Sequence, residues 1–480
     1  MKILFVAKES IMHERLGIMQ LSSCLKSAGN EVKFILFEKA GRQGLLNAVK
    51  AWSPGIIAYS AMTGEHIELL RINELLKKHH SFISVFGGPH ATFFPDLINA
   101  PDVDAVCVGE GDLAFPDFCR RIDCGENYRE TPNFIVKHAG GISRNPIRPL
   151  IEDLDSLPFA DRELMYEADP DLESSGQKTV FASRGCPYKC GYCFNRKYNE
   201  LYRGKGQVVR FRSPENLIEE LSLIKKKHPL NVLHIDDDTF LLKPKDWFTK
   251  FSGLYKDKVN IPFSCNVRAD VVREEIIAVL KAAGLDSAWM GVECGNEEIA
   301  NNVLGRNLKT TQLLTAARIL KKHMIKLITQ NLVGIPVADS YKTDLETLDL
   351  NIKIAPTYAW ASILYPYPGT KVAGLAEEHG FIDQAATFLE TNKRYTMFKF
   401  PGNEKIKIEN LHKLFAVIVR LPFLRRFCTP LCRLNLGVFY TGIFYFWYGY
   451  SLKTKIFPFR SFFAEIPRYL RLWLKFIRKG

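Results

Sequence analysis

The chain lacks the marks of several protein classes. Its opening, MKILFVAKES, reads as a β-strand and has no cleavage region of a secretory signal. A cytoplasmic, reducing compartment is therefore expected, and the eleven cysteines are in the wrong pattern for a disulfide framework. No internal repeat relates its two alternating regions, and 47% hydrophobic with 24% charged residues excludes a disordered or collagen-like chain. A generally basic body is also missing. The net charge is +13, yet Asn403–Gly480 alone carries 15 Lys and Arg against 3 Asp and Glu. The first 402 residues hold 50 basic and 49 acidic side chains. That body shows no polyanion site, and nucleic acid is not an expected partner.

What is there fits an α/β protein of two or three domains, since 480 residues exceed one hydrophobic core. Over residues 1–125, the β-rich runs KILFVAKE, EVKFILFE, GIIAYSAM, FISVFGG and DAVCVGE alternate with helical stretches such as Leu16–Ala28 and Glu65–His79. That alternation predicts a Rossmann-like, doubly wound parallel sheet with its ligand at the carboxyl ends of the strands. Those ends carry Ser60, Thr63 and Gly64, then Gly87-Gly88-Pro89-His90, then Gly109-Glu110-Gly111-Asp112, where glycines let a bulky ligand approach backbone. Residues 126–177 read as a small hairpin, NFIVKHAGGISRN, and a linker containing LDSLP. Six further strand patterns, from TVFASRG to AWASILYP, fall within 178–375 with helices over Pro214–Lys227, Arg273–Ala283 and Thr310–His323. Six β/α units are too few for a closed eightfold barrel and predict a partial (β/α)6 barrel. Residues 376–480 are expected to form a mainly helical, basic and aromatic C-terminal region.

Eight cysteines (Cys24, Cys107, Cys119, Cys124, Cys265, Cys294, Cys428 and Cys432) are scattered and read as buried small hydrophobes. Cys186, Cys190 and Cys193 are not scattered. Their C-x3-C-x2-C spacing lies in the loop after the first strand of the second region. Three thiolates on one short loop can hold three corners of a [4Fe–4S] cube and leave the fourth iron open. A zinc site needs a fourth ligand, and none is nearby in sequence, leaving a zinc knuckle with a distant ligand or three inert thiols as the other readings.

This motif resembles the signature of the radical S-adenosylmethionine (SAM) enzymes, with Tyr192 at the aromatic position before the third cysteine. Together with the N-terminal unit and the LDSLP linker, the chain resembles the subclass that carries a cobalamin-binding domain. The resemblance implies that SAM chelates the open iron and that one electron, from a flavodoxin- or ferredoxin-type donor, cleaves it to a 5′-deoxyadenosyl radical. It places Asp237, in His234-Ile-Asp-Asp-Asp238, near the SAM amino group and Glu293, in Gly291-Val-Glu-Cys-Gly295, on the ribose hydroxyls. Arg268 would pair with the SAM carboxylate, Gln330 and Gly334 would lie near adenine, and Arg306 is a further candidate. Cobalamin would be contacted by Ser60, Thr63, Gly87, Gly88, Gly109, Glu110 and Gly111.

Two departures stand out. Gly334-Ile-Pro-Val-Ala-Asp339 lacks the Gly-Glu pair frequent in the family's fifth-strand loop, although the Pro368-Gly-Thr370 turn is kept. Ile11-Met-His13-Glu-Arg-Leu-Gly17 lacks the Asp-x-His-x-x-Gly of many cobalamin domains, so His13 reads as a surface residue. The implied reaction is methyl transfer to a poorly activated carbon through methylcobalamin. Cyclisation or rearrangement without methyl transfer, or a non-catalytic membrane-associated sensor, are the alternatives. At the C-terminus, Leu434–Leu452 has no charge and eight aromatics, and Ile466–Lys479 spaces its cations as a basic amphipathic helix. These features point to a membrane surface and a small-molecule or lipid-like substrate, with docking of the tail on the barrel as the other reading.

Overall fold

The computed structural model describes residues 1–9, 14–382 and 395–456. Two compact units emerge, one built on Met1–Pro187 and Phe194–Leu230, the other on Tyr188–Cys193 and the described residues from Asn231 onward. His13 and the segment Ile466–Lys479 lie outside the described residues.

The first unit is built around a sheet of β1 (Lys2–Ala7), β2 (Glu31–Leu36), β3 (Ile56–Ser60), β4 (Ile83–Gly87), β5 (Ala105–Cys107), β6 (Phe134–His138) and β7 (Gly141–Arg144). Their order is β2-β1-β3-β4-β5-β6-β7. The first five are parallel, and β6 and β7 add an antiparallel edge. Central β1 buries every side chain after Lys2, as a strand covered on both faces must, while edge strand β2 alternates. The hairpin expected beyond residue 125 therefore completes this sheet. The same unit holds β8 (Gln177–Val180), β9 (Ser183–Arg184) and β10 (Arg210–Phe211), the last two paired antiparallel. Its helix Pro214–Lys227 begins with Ser213 accepting from the Asn216 amide at 3.1 Å, has Pro in its first turn and ends in three lysines.

The second unit holds five parallel strands, β11 (Val232–Ile235), β12 (Phe263–Val267), β13 (Leu285–Glu293), β14 (Lys326–Val333) and β15 (Tyr358–Ile363). They follow one another in chain order with helices between, as the β/α pattern predicts. Beyond them, the helix Glu404–Arg420 packs on β15 and on the helices Ser340–Ile354 and Gly437–Ser451. Of the scattered cysteines, seven are buried as expected and Cys124 is exposed. It is the C-cap of the helix Ala114–Asp123, its N–H donating to Arg120 C=O at 2.9 Å.

Candidate active site

In the second unit the segment Tyr188–Cys193 is pinned by backbone. Gly191 N–H donates to Leu304 C=O at 2.8 Å, and Val372 N–H donates to Gly191 C=O at 3.0 Å. A Cβ on Gly191 would stand 2.9 Å from the Val303 oxygen, so only glycine fits. Two buried guanidinium groups then face one sulfur: Arg306 Nη1 lies 3.8 Å and Arg268 Nη1 3.9 Å from Cys190 Sγ. Donors of this kind are what a metal-bound thiolate accepts from in its outer shell.

Each arginine is itself held. Arg268 Nε donates to Asp270 at 2.9 Å, its Nη2 to the Arg306 carbonyl, and its guanidinium lies 3.8 Å from the Tyr188 ring centroid. Arg306 Nη2 donates to Gly291 C=O at 2.6 Å and Nη1 to the Tyr192 hydroxyl at 3.1 Å. Glu293 closes the group, its Oε1 3.9 Å from Arg306 Nη1. The pairing of β13 with β14 shifts register between Gly291 and Glu293, and Glu293 takes a φ of 64°, which re-aims its carboxylate off the strand. Burial pushes the Glu293 carboxyl up, against the opposing pull of Arg306. Burial, reinforced by Glu293, holds the Tyr192 phenol well above its usual range. Arg306 Nε is buried and has no acceptor among the described residues. The donor set fits an iron–sulfur cluster and an anionic ligand beside Cys190: a buried thiol, two fixed cations and one unspent buried donor.

Not every expected residue joins this group. Asp237 is fully buried and ion-paired with the equally buried Lys243 at 2.5 Å. The neighbouring Asp236 and Asp238 are exposed, and Asp236, 48% exposed, has His234 Nε2 at 3.3 Å and Asn266 Nδ2 at 3.1 Å. Gln330 is half-buried on β14. Gly334 accommodates packing: at φ 74° its N–H donates to both Asp344 oxygens at 3.0 and 3.1 Å, and a Cβ would meet Ile408 at 3.1 Å.

In the first unit, the carboxyl ends of β3 and β4 lock together. Ala61 N–H donates to Gly87 C=O and His90 N–H to Ala61 C=O, both at 2.9 Å. Gly88 sits at φ 85°, where a Cβ would come within 2.9 Å of Ala61 N and Ser60 Oγ. Thr63 Oγ1 lies 3.1 Å from His90 Nδ1, and the His66 and His90 rings stack at 3.6 Å. Burial, and then the neighbouring His66, lowers His90 to about 3, while burial also lowers His66. Ser60, Thr63, Gly87 and Gly88 are thus brought together, joined by two neutral histidines. His90 was visible in the sequence only as the residue after Gly-Gly-Pro, and His66 carried no signal.

The loop Gly109–Gly111 is occupied by protein. The Tyr202 hydroxyl fills the space beside Gly109 and accepts from the Glu110 N–H at 2.8 Å. Arg210 grips the Glu110 carboxylate at 2.8 and 3.0 Å. Next to it, Arg184 grips Asp112 at 2.9 and 3.0 Å. Arg184 immediately precedes Gly185, whose φ of 89° and contact with the Val208 carbonyl admit no side chain. Cys186 follows, its carbonyl accepting from Asn199 Nδ2 at 2.9 Å. Among the described residues no three His, Cys, Asp or Glu side chains gather around one point as a metal site. The expectation that Cys186, Cys190 and Cys193 ligate a cluster rests on their spacing and on the donors around Cys190.

Comparison with known proteins agrees with both units. The radical SAM superfamily model matches residues 180–347, and the B12 binding domain model matches residues 2–118. An uncharacterized methyltransferase of Pyrococcus horikoshii is 26% identical over 364 residues, covering 74% of this chain and 77% of its own. The anaerobic magnesium-protoporphyrin IX monomethyl ester cyclase of Rubrivivax gelatinosus is 24% identical, covering 73% and 64%. The solved structure of the cobalamin-dependent SAM radical enzyme OxsB with aqua-cobalamin bound shares the fold at a TM-score of 0.69 and 15% identity, covering 98% of this chain and 75% of that one. The chain thus joins a radical SAM domain to an N-terminal B12-binding domain, and that architecture is the family it belongs to.

Proposed function

We propose that this protein is a cobalamin-dependent methyltransferase that acts on a poorly activated carbon. The observation that carries the reading is the convergence of Arg268, Arg306, Tyr192 and Glu293 on the sulfur-bearing loop at Cys190. When bound, the cofactors supply the reductive cleavage of SAM and the methyl group, chemistry that no side chain provides.

The chain's own residues bind, orient and exclude water. Cys186, Cys190 and Cys193 hold three irons by their spacing, and Arg268 and Arg306 offset the negative charge collected at Cys190. The unspent Arg306 Nε is a donor for the SAM carboxylate. Glu293, buried and re-aimed by its backbone, accepts from the ribose hydroxyls. At the end of β11 the group assigned to the SAM ammonium is Asp236, oriented by His234 and Asn266, in place of Asp237, which is committed to Lys243. Gln330 remains the polar side chain for adenine. In the first unit Ser60, Thr63, Gly87 and Gly88 cradle cobalamin, and the neutral His66–His90 pair offers hydrogen bonds without charge. An electron donor of flavodoxin or ferredoxin type and a small-molecule or lipid-like substrate complete the set of partners.

The name of the Pyrococcus relative supports methyl transfer, and that of the Rubrivivax relative supports a second reading, cyclisation without methyl transfer. Anaerobic reconstitution tests the foundation common to both. The protein should take up about four iron and four sulfide and absorb near ~400 nm, and the Cys186→Ala/Cys190→Ala/Cys193→Ala variant should lose both. A wild-type chain that assembles no cluster contradicts either reading.

A further inference from the structure

The helix Gly437–Ser451 carries no charged residue. Residues four apart on a helix share a face, so its two sides can be followed separately. One side is docked. The Tyr440 hydroxyl donates to Leu431 C=O at 3.0 Å, Trp447 and Tyr448 pack against the cluster of Ile328, Tyr358 and Ala416, and Phe444 lies 5.1 Å from the His412 ring. The other side is an i, i+4 stripe of Val438, Gly442, Phe446 and Tyr450. Val438 is 89% exposed, Phe446 69% and Tyr450 46%, and the two rings stack at 6.4 Å. A helix lying on a soluble surface turns polar residues outward; this one turns apolar groups and rings outward.

The surrounding chain is uniformly basic. Asn410–Ile456 contains seven Lys and Arg and no Asp or Glu. Arg425 is paired with Asp349 at 2.6 and 2.9 Å, whereas Arg420, Arg426 and Arg433 are exposed. With 15 residues the helix is about 22 Å long, short of the ~30 Å hydrocarbon core of a bilayer. Among the described residues no helix is long and apolar enough to cross a membrane.

We propose that this face lies in the interfacial layer of an anionic phospholipid membrane, with the exposed rings at headgroup depth and the flanking cations against lipid phosphates. Charge selects this occupant. A second copy of the chain docking through the same face would bring an equally basic segment against it. Residues 457–480 would do the same, having six Lys and Arg and one acid. The proposal stands apart from the reaction, because vesicle binding requires no cofactor.

Co-sedimentation of the full-length protein with vesicles tests it. Binding should be strong with vesicles containing roughly 30% phosphatidylglycerol, weak with phosphatidylcholine alone, and reduced by salt. The Val438→Ser/Phe446→Ser/Tyr450→Ser variant should bind the anionic vesicles at least tenfold more weakly, with circular dichroism and gel-filtration elution unchanged. Three results would overturn the proposal: no preference of the wild type for anionic vesicles, undiminished binding by the triple variant, or a vesicle-free wild-type dimer that the triple variant dissociates.

Discussion

Neighbouring carboxylates at the end of β11 have opposite environments, and two substitutions separate them. Asp237 shares a fully buried ion pair with Lys243, so Asp237→Asn strands a buried cation and should cost about 3 kcal/mol in denaturant unfolding. Asp236 is half-exposed, and Asp236→Asn should leave stability within about 0.5 kcal/mol. Its effect should instead be a roughly tenfold weaker SAM Kd in cluster-loaded protein, the loss of one charge-assisted contact. Unchanged SAM affinity would remove Asp236 from the site. The acidic run Asp236–Asp238 at the strand end was legible; what sequence could not show was the lysine six residues on that takes up Asp237. At Cys190, Arg306→Gln removes one of two cations beside the sulfur. The cluster should become harder to reduce, its midpoint potential falling by on the order of 50 mV in an EPR-monitored titration.

At the scale of elements, the strand–helix alternation was readable almost throughout, because buried parallel strands carry continuous apolar runs and the helices between them carry capping and charge signals. The loops were less readable. Gly109–Gly111 looks like Gly87–Gly88 in sequence, yet the first is packed against Tyr202, with Arg210 on Glu110, and the second against its own neighbouring strand end at Ser60 and Ala61. The difference lies in side chains about a hundred positions away, which no local pattern encodes. The Arg184–Asp112 pair shows the consequence for stability. Asp112→Asn should lower it by about 2 kcal/mol, and exchanging the two residues should restore part of that loss, as read from denaturant midpoints. The helix Glu404–Arg420 adds a pH dependence through His412, which burial, and then Lys413, lowers to about 3. Between that value and the ordinary 6.5, the unfolded chain binds a proton that the folded chain refuses. Stability contributed by neutral His412 is therefore complete above about pH 6.5 and is lost as pH falls, at up to about 1.4 kcal/mol per pH unit. Chemical denaturation between pH 7 and pH 5 should show a steeper loss for wild type than for His412→Phe.

For the whole molecule, charge and chemistry separate. A body with one net positive charge holds both matched domains, and a C-terminal region with a net charge of +12 holds the exposed aromatic helix. Sequence revealed that division by count alone. It did not reveal which side of Gly437–Ser451 would be buried, because a helix that is apolar all round has no periodicity to read. The family was legible from three cysteines and an aromatic residue, whereas the reaction class rests on what SAM becomes. The most direct measurement is product analysis with full-length, cluster-loaded enzyme, SAM and a low-potential reductant, with and without cobalamin. Methyl transfer predicts both 5′-deoxyadenosine and S-adenosylhomocysteine, the second only when cobalamin is present and neither in the triple cysteine variant. Deoxyadenosine without cobalamin-dependent S-adenosylhomocysteine would contradict it.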